Sequence, residues 1–431
     1  MEEKIKSILE SQNPWWFDKR FEKGINRLNN YNKLLDYLKL KEILFLIGVR
    51  RCGKSTLMYQ LIDKLLKNHS ANQILFINLD EPYFMSQREN SQLIKGIVED
   101  YLLENKVNKL YLFIDEVQNY SFWSETLKYL YDINRNIKII ASGSSSNIIE
   151  SKLSIKLSGR YFYQIISPLS FKEFLNFNNK NKLEIKEYKN SFEKYLLFGG
   201  FPRVVLEKNV EIKKEILINY FQTIYSKDII LPNNIRNSQD IYDLLYYLIS
   251  NNSKFYSYNS ISKVLEISVD TIKEYINYSV DSYLLFNLYK YDKSIKKQLR
   301  NDKKIYSIDT GLTNAISFKF SEDKGRLLEN LVFIELKKRN KEIYYHKDNY
   351  ECDFVIKKGL KITHAIQVTK SLANPDTRKR EIKGLLDALK TYNLSQGLIL
   401  TEDEAQEFEV EGYKIIVKPI WKWLLHSAKG D

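Results

Sequence analysis

The sequence predicts an α/β protein in successive parts: a parallel sheet covered by helices, then a helical module, then a smaller mixed α/β domain at the carboxy terminus. Three observations predict it. Between residues 42 and 144 short apolar runs alternate with helical stretches, a glycine-rich turn joins the first run to the first helix, and the periodicity changes near residues 182 and 325. A chain of 431 residues also exceeds what one hydrophobic core ordinarily organises, which predicts several domains of roughly 100 to 200 residues.

The first four strands are expected at 43–47, 74–78, 110–114 and 137–141. Each is short, rich in Ile, Leu or aromatics, and followed by polar residues, as in a sheet buried on both faces. From 182 to 232 the chain reads as charged helix, broken by the turn Phe198-Gly199-Gly200-Phe201-Pro202; the Asn-rich stretch 176–181 reads as a surface loop. Residues 257–265, the link Glu266-Ile267-Ser268, and 269–282 read as helix, turn and helix, with strands at 283–291 and 304–308 around a basic hairpin, a winged-helix candidate. The last part reads as helix 325–340, strands 342–345, 352–356 and 361–368, helix 375–392, and strands 397–401 and 413–417. The expected division is an amino-terminal extension 1–30, a nucleotide domain 31–180, a helical lid or linker 181–240, a winged-helix module 241–310 and a carboxy-terminal domain 311–431.

Hydrophobic residues at 44% and aromatics at 13% support folding, and no apolar run approaches the roughly 18 residues of a membrane span. The charged start, residues 1–10, is not signal-like. No membrane partner and a cytoplasmic location are expected. Cys52 and Cys352 provide no disulfide framework. A net charge of +13 and a pI near 9.2 favour polyanions through counterion release. The joint abundance of Lys, Asn, Ile and Tyr also fits an AT-rich coding bias, so a solvated lysine-rich surface stands beside nucleic-acid binding as a reading.

Gly48-Val49-Arg50-Arg51-Cys52-Gly53-Lys54-Ser55 fits the pattern G-x4-G-K-[ST] and lies between a strand and a helix. The glycines let backbone N–H groups turn inward, and the helix amino terminus adds positive charge. That cradle, with Arg50, Arg51, Cys52 and Thr56, is expected to hold ATP or ADP, with Lys54 on the β and γ phosphates and Ser55 on Mg²⁺. The strand 110–114 ends in Asp115 and Glu116, expected respectively to bind Mg²⁺ and to activate water. Tandem acids argue for a hydrolase over a small-molecule kinase. Ser142, in Ser142-Gly143-Ser144, is placed to sense the γ phosphate; a plain Ser-rich turn is the other reading. Arg160 could neutralise transition-state charge in its own chain or a neighbour's, or form an ordinary ion pair. Cys52 is expected to sit where a thiolate is favoured, so that alkylation blocks nucleotide binding and Mg-ATP protects the thiol. The four histidines have no metal-ligand spacing, and Trp15-Trp16 reads as a packing anchor.

The cradle, Asp115-Glu116-Val117-Gln118, Ser142-Gly143-Ser144, Leu157-Ser158-Gly159-Arg160-Tyr161, Pro168-Leu169-Ser170-Phe171-x-Glu173-Phe174, Gly199-Gly200-Phe201-Pro202 and Asp309-Thr310-Gly311-Leu312 follow in order. Together they resemble the archaeal and bacterial AAA-type (AAA_14-like) ATPases with a DUF4143 carboxy-terminal domain, over almost the whole chain. The resemblance implies an AAA+-like core, a winged-helix module and a restriction-endonuclease-like tail similar to PD-(D/E)XK nucleases. In such a tail a metal site would fall on Glu329, Asp353, Gln367 and Thr369. Gln367 stands where an acid is usual and Thr369 where a lysine is usual, and strand alternation turns Lys370 to the other face. A degenerate fold kept for DNA binding or assembly is therefore expected over an active nuclease. In the winged-helix candidate, Ser268, Asp270, Thr271 and Lys273 are the candidates expected to face DNA, with Lys293, Lys296, Lys297, Arg300, Lys303 and Lys304 in the wing; a protein interface or lid is the other reading of such a module. Two functions remain open: an ATPase acting with double-stranded DNA, or a nucleotide-dependent switch, in a defence or toxin-like system, for a protein partner or a homo-oligomer.

Overall fold

The computed structural model describes residues 1–133, 136–146, 148, 157, 159–180, 183–317 and 324–426; Ser158 and Asn181 fall outside them. Two compact units emerge, Met1–Ser167 with Asp281–Tyr283, and Pro168–Val280 with Leu284–Asp431. No described helix is long and apolar enough to cross a membrane.

In the first unit, β1 (Ile43–Ile47), β2 (Ile74–Asn78), β3 (Leu110–Asp115), β4 (Ile137–Gly143) and β5 (Tyr161–Ile165) form one parallel sheet in the order β2-β3-β4-β1-β5. All five residues of β1 and all six of β3 are buried, which is why they read as unbroken apolar runs. Because β4 lies between β1 and β3, the loops leaving those two strands diverge and open a crevice at their carboxyl ends, the usual place for a ligand in such sheets.

The expected break at residue 30 does not separate an independent extension. Helix Glu3–Gln12 ends in Asn13, whose buried side chain pairs with the outer edge of β2 as a strand residue would: its amide donates to the Phe76 carbonyl at 2.8 Å and its oxygen accepts the Phe76 N–H at 2.7 Å. Trp15 and Trp16 both donate to the Ile74 carbonyl, and Trp16 stacks on Tyr101, so the tryptophan pair is a packing anchor. An otherwise open edge is thereby covered.

The second unit begins with helices Phe171–Phe177, Ile185–Phe198 and Val210–Thr223. Gly199, at φ 72, turns the chain after the second of these, and a Cβ there would fall 1.8 Å from the Asp309 carboxylate. Asp309 accepts the Gly200 and Leu312 N–H groups, capping helix Thr310–Ile316. Helices Tyr258–Leu265 and Val269–Asp281 are joined by the three-residue link expected. They lie in the chain between the first and second strands of an antiparallel sheet of β6 (Phe255–Tyr256), β7 (Leu285–Leu288) and β8 (Lys303–Ser307), with β8 central.

The carboxy-terminal part holds helix Lys324–Lys338 and a six-stranded mixed sheet. Its strands are β9 (Glu342–Lys347), β10 (Glu351–Lys358), β11 (Lys361–Val368), β12 (Gln396–Thr401), β13 (Gln406–Val410) and β14 (Tyr413–Pro419), in the order β13-β14-β12-β11-β10-β9. Helix Pro375–Tyr392 packs Leu385 and Leu389 on Val355, Ile399 and Val417.

Candidate functional site

β1 runs directly into residues 48–53, and helix Lys54–Leu65 follows. Gly48 must be glycine: at φ 154, its Cβ would lie 2.0 Å from the Ile166 carbonyl oxygen. Arg51 and Gly53 have φ values of 67 and 102, so the loop doubles back before the helix starts. Gly53 gives no side-chain cap, which leaves the first helical amides to other acceptors. The Lys54 side chain arches over the loop and donates to the carbonyls of Gly48 at 2.9 Å and Val49 at 3.2 Å. The positive helix end and an ammonium group fit the oxygens of a phosphate chain.

Strand register brings the carboxylates to this loop. Leu46 pairs with Ser142, and Ile114 with Ala141, so Asp115 stands beside Ser142 at the same carboxyl edge. The Ser142 hydroxyl donates to Asp115 Oδ1 and accepts the Glu116 N–H at 3.1 Å. It is thus buried between the two acids, holding both. Ser55 also hydrogen-bonds Asp115. A hydroxyl and a carboxylate side by side are hard oxygen donors, a fit for Mg²⁺.

Glu116 has φ 56, which swings its carboxylate back over the loop. Its oxygens lie 3.9 Å from Lys54 Nζ and 3.8 Å from Arg50 Nη2, and accept a hydrogen bond from the Gln118 amide. Burial pushes the Asp115 carboxyl up, with Glu116 adding repulsion; burial also works on Glu116, but Lys54 and Arg50 hold its carboxyl below the usual range.

The other expected residues are placed as follows. Arg51 is exposed on the loop, and Thr56 is half-buried in the first helical turn. Cys52 is fully buried and donates its thiol to the Ile166 carbonyl, and burial raises its pKa, so the expected reactive thiolate is corrected to an inert core thiol. Arg160 precedes β5 at the opposite end of the sheet, where its carbonyl accepts the Ile43 N–H and its guanidinium meets Asp132 at 3.1 Å. Five strand residues, roughly 16 Å, separate it from the loop, which rules out contact with a phosphate held in its own chain. Two participants had no role assigned from sequence: Gln118, which also donates to Ser144 at 3.0 Å, and Asp80, 4.0 Å from Arg50. A polar residue two places after the acid pair was the readable signal for Gln118.

In the carboxy-terminal part, Glu329, Asp353, Gln367 and Thr369 do come together, lining one cavity of about 620 Å³ with Glu351, Arg380 and Glu381. Glu329 lies on helix Lys324–Lys338, Asp353 on β10, Gln367 on β11, and Thr369 just beyond it. The Gln367 oxygen accepts the Asp353 N–H at 3.2 Å while its amide donates to Glu381. A carboxylate could not make that second bond, which explains an amide here. Lys304 requires a correction: it is not a surface wing residue but is buried, with its ammonium on Glu329 and Asp353. Among the described residues no group of three or more His, Cys, Asp or Glu side chains is arranged to hold a metal ion.

Residues 40–175 match an AAA domain, 189–323 a domain of unknown function, DUF8612, and 324–423 another, DUF4143. The chain is 35% identical to the uncharacterized protein MJ1544 of Methanocaldococcus jannaschii over 411 residues, 89% of this chain and 88% of that protein. It is 29% identical to an uncharacterized protein of Haemophilus influenzae, covering 93% of this chain and 98% of the other. Among solved structures, the Aeropyrum pernix ORC1 protein in complex with DNA superposes with a TM-score of 0.37 at 10% identity, over 68% of this chain and 93% of that one.

Proposed function

We propose that this chain, which belongs to the same family as the uncharacterized archaeal protein MJ1544, is an AAA-type enzyme that binds ATP with Mg²⁺ at the turn from Gly48 to Ser55 and hydrolyses it. The observation that carries the reading is the convergence of that turn with Asp115, Glu116 and Ser142 at one edge of the sheet, enforced by the register of three buried strands. Lys54 would exchange the Gly48 and Val49 carbonyls for β and γ phosphate oxygens, which make stronger, charge-assisted bonds. Ser55 and Asp115 would hold Mg²⁺, whose charge offsets that developing on the transferred phosphoryl group. Glu116, steadied by Gln118 and Arg50, would orient the attacking water and accept its proton. Ser142 keeps the two acids in register. Arg160 could serve catalysis only toward the nucleotide of a second copy. The test is binding of a fluorescent ATP analogue: Lys54→Ala is expected to weaken it at least tenfold and Glu116→Gln to leave it nearly unchanged. Equal binding by Lys54→Ala and the wild type would refute the assignment.

A second component concerns what the cycle serves. Lys293, Lys296, Lys297 and Arg300 are exposed beside the small sheet, which favours reading the two linked helices and β6–β8 as a winged-helix module on duplex DNA phosphates. DNA-stimulated turnover, lost when these four residues become Ala, supports it. Turnover indifferent to DNA favours the protein-partner switch instead.

A further inference from the structure

Lys304 sits on β8, the central strand of the three-stranded sheet, paired on one side with Phe255 and on the other with Leu288. Its side chain is 3% exposed and reaches the DUF4143 part. There, three carboxylates from two elements converge on its nitrogen: Glu351 at 2.6 Å, Glu329 at 2.9 Å and Asp353 at 3.0 Å. We propose that the Lys304 ammonium takes the place of a divalent metal in this cleft, so that the DUF4143 part is a metal-free, non-cleaving domain fastened to the small sheet by a resident cation.

Charge and geometry agree on this. Two buried carboxylates, Glu329 and Asp353, with the partly exposed Glu351 beside them, repel one another and favour a cation or protons between them. An ammonium group has three donors and no acceptor; here it donates to Glu329 and Asp353 and forms an ion pair with Glu351. The Glu329 and Asp353 separations are those of charge-assisted hydrogen bonds, longer than the 2.0 to 2.6 Å typical of Mg²⁺ or Ca²⁺ to oxygen. A second cation at the same point would face the ammonium directly. The lysine cannot easily withdraw, because its strand is hydrogen-bonded on both edges and its stem passes the Phe255 ring, with Nζ 5.2 Å from the centroid. Two of the carboxylates are held by further donors: Tyr306 donates to Glu329 Oε1, the oxygen that also meets Lys304, at 2.6 Å, and Asp353 Oδ2 accepts the Val368 N–H at 2.9 Å. Among the residues expected from a nuclease-like pattern, Gln367 is spent on Glu381 and Asp353, and Thr369 offers no positive charge.

The experiment counts Mn²⁺ ions bound per chain by electron paramagnetic resonance in the full-length protein without nucleotide. Wild type and Asp353→Asn are expected to bind the same number, because neither holds Mn²⁺ in the cleft. Lys304→Ala is expected to bind one more than wild type, lost again in Lys304→Ala/Asp353→Asn, and its melting temperature is expected to rise with Mn²⁺ where that of the wild type does not. A wild-type ion that Asp353→Asn removes would overturn the proposal, as would a folded Lys304→Ala that gains none. Should Lys304→Ala fail to fold, the comparison of wild type with Asp353→Asn still decides. Since no step involves the loop at Gly48, failure here leaves the ATPase reading untouched.

Discussion

The Lys54 ammonium lies 3.9 Å from Glu116 Oε1 while it donates to the Gly48 carbonyl at 2.9 Å. One lysine therefore links the loop after β1 to Glu116, the acid proposed to activate water.

Gln118 supports that acid from the other side. Its amide donates to Glu116 and to Ser144, tying the exit of β3 to the exit of β4. Gln118→Ala is expected to lower kcat by roughly tenfold with ATP affinity little changed, as for other partners that only orient a reacting group. A matched loss of affinity would mean that Gln118 contacts the nucleotide itself.

Cys52 should resist modification. The thiol is fully buried, donates to Ile166, and is pushed up by burial. Iodoacetamide at pH 7.5 is expected to leave Cys52 unlabelled in the native protein with or without Mg-ATP, and to label it only after denaturation. Rapid native labelling that Mg-ATP blocks would contradict this packing.

Asn13 provides three hydrogen bonds within the buried edge of the sheet, two to Phe76 and one to the Leu9 carbonyl. Asn13→Ala leaves the Phe76 N–H and carbonyl buried without that partner, while the Leu9 carbonyl keeps the backbone N–H of residue 13, so a loss of about 2 to 4 kcal/mol is expected in urea denaturation followed by tryptophan fluorescence. A change under about 0.5 kcal/mol, the range of ordinary surface substitutions, would show the edge to be solvated.

Lys138 predicts a pH dependence. Burial lowers its ammonium to about 8, with Glu42 opposing the shift, although it donates to the Leu40 carbonyl at 2.9 Å. The unfolded chain keeps this proton to about 10.5, so between the two values the unfolded chain binds more protons and stability rises with pH. Relative to Lys138→Met, the wild type is expected to gain up to about 3 kcal/mol from pH 8 to pH 10.5. A flat difference would mean that the ammonium is as well solvated folded as unfolded.

What the sequence made legible follows from what its patterns report. β1 to β4 are buried on both faces, so each appears as an apolar run, and the strict spacing from Gly48 to Ser55 fixed the loop between strand and helix. β5 and β13 went unread because edge strands carry mixed, partly exposed residues: Phe162 and Tyr163 are exposed, and Gln406–Val410 alternates charged with apolar side chains. Lys304 was misread because a run of basic residues looks the same whether it faces solvent or delivers one member to a buried acid cluster. Only the partners decide, and Glu329, Glu351 and Asp353 lie 25 to 49 residues away. For Arg160, sequence order gave proximity to a motif but not the end of the strand on which it stands.

The most direct measurement is steady-state ATP turnover by the wild type, Lys54→Ala and Glu116→Gln, each with and without Mg²⁺ and duplex DNA. Mg²⁺-dependent turnover is expected in the wild type, reduced at least a hundredfold by either substitution, with ATP binding retained in Glu116→Gln. Substantial turnover surviving in both variants would contradict the placement of the active site at the loop after β1 and the acids after β3.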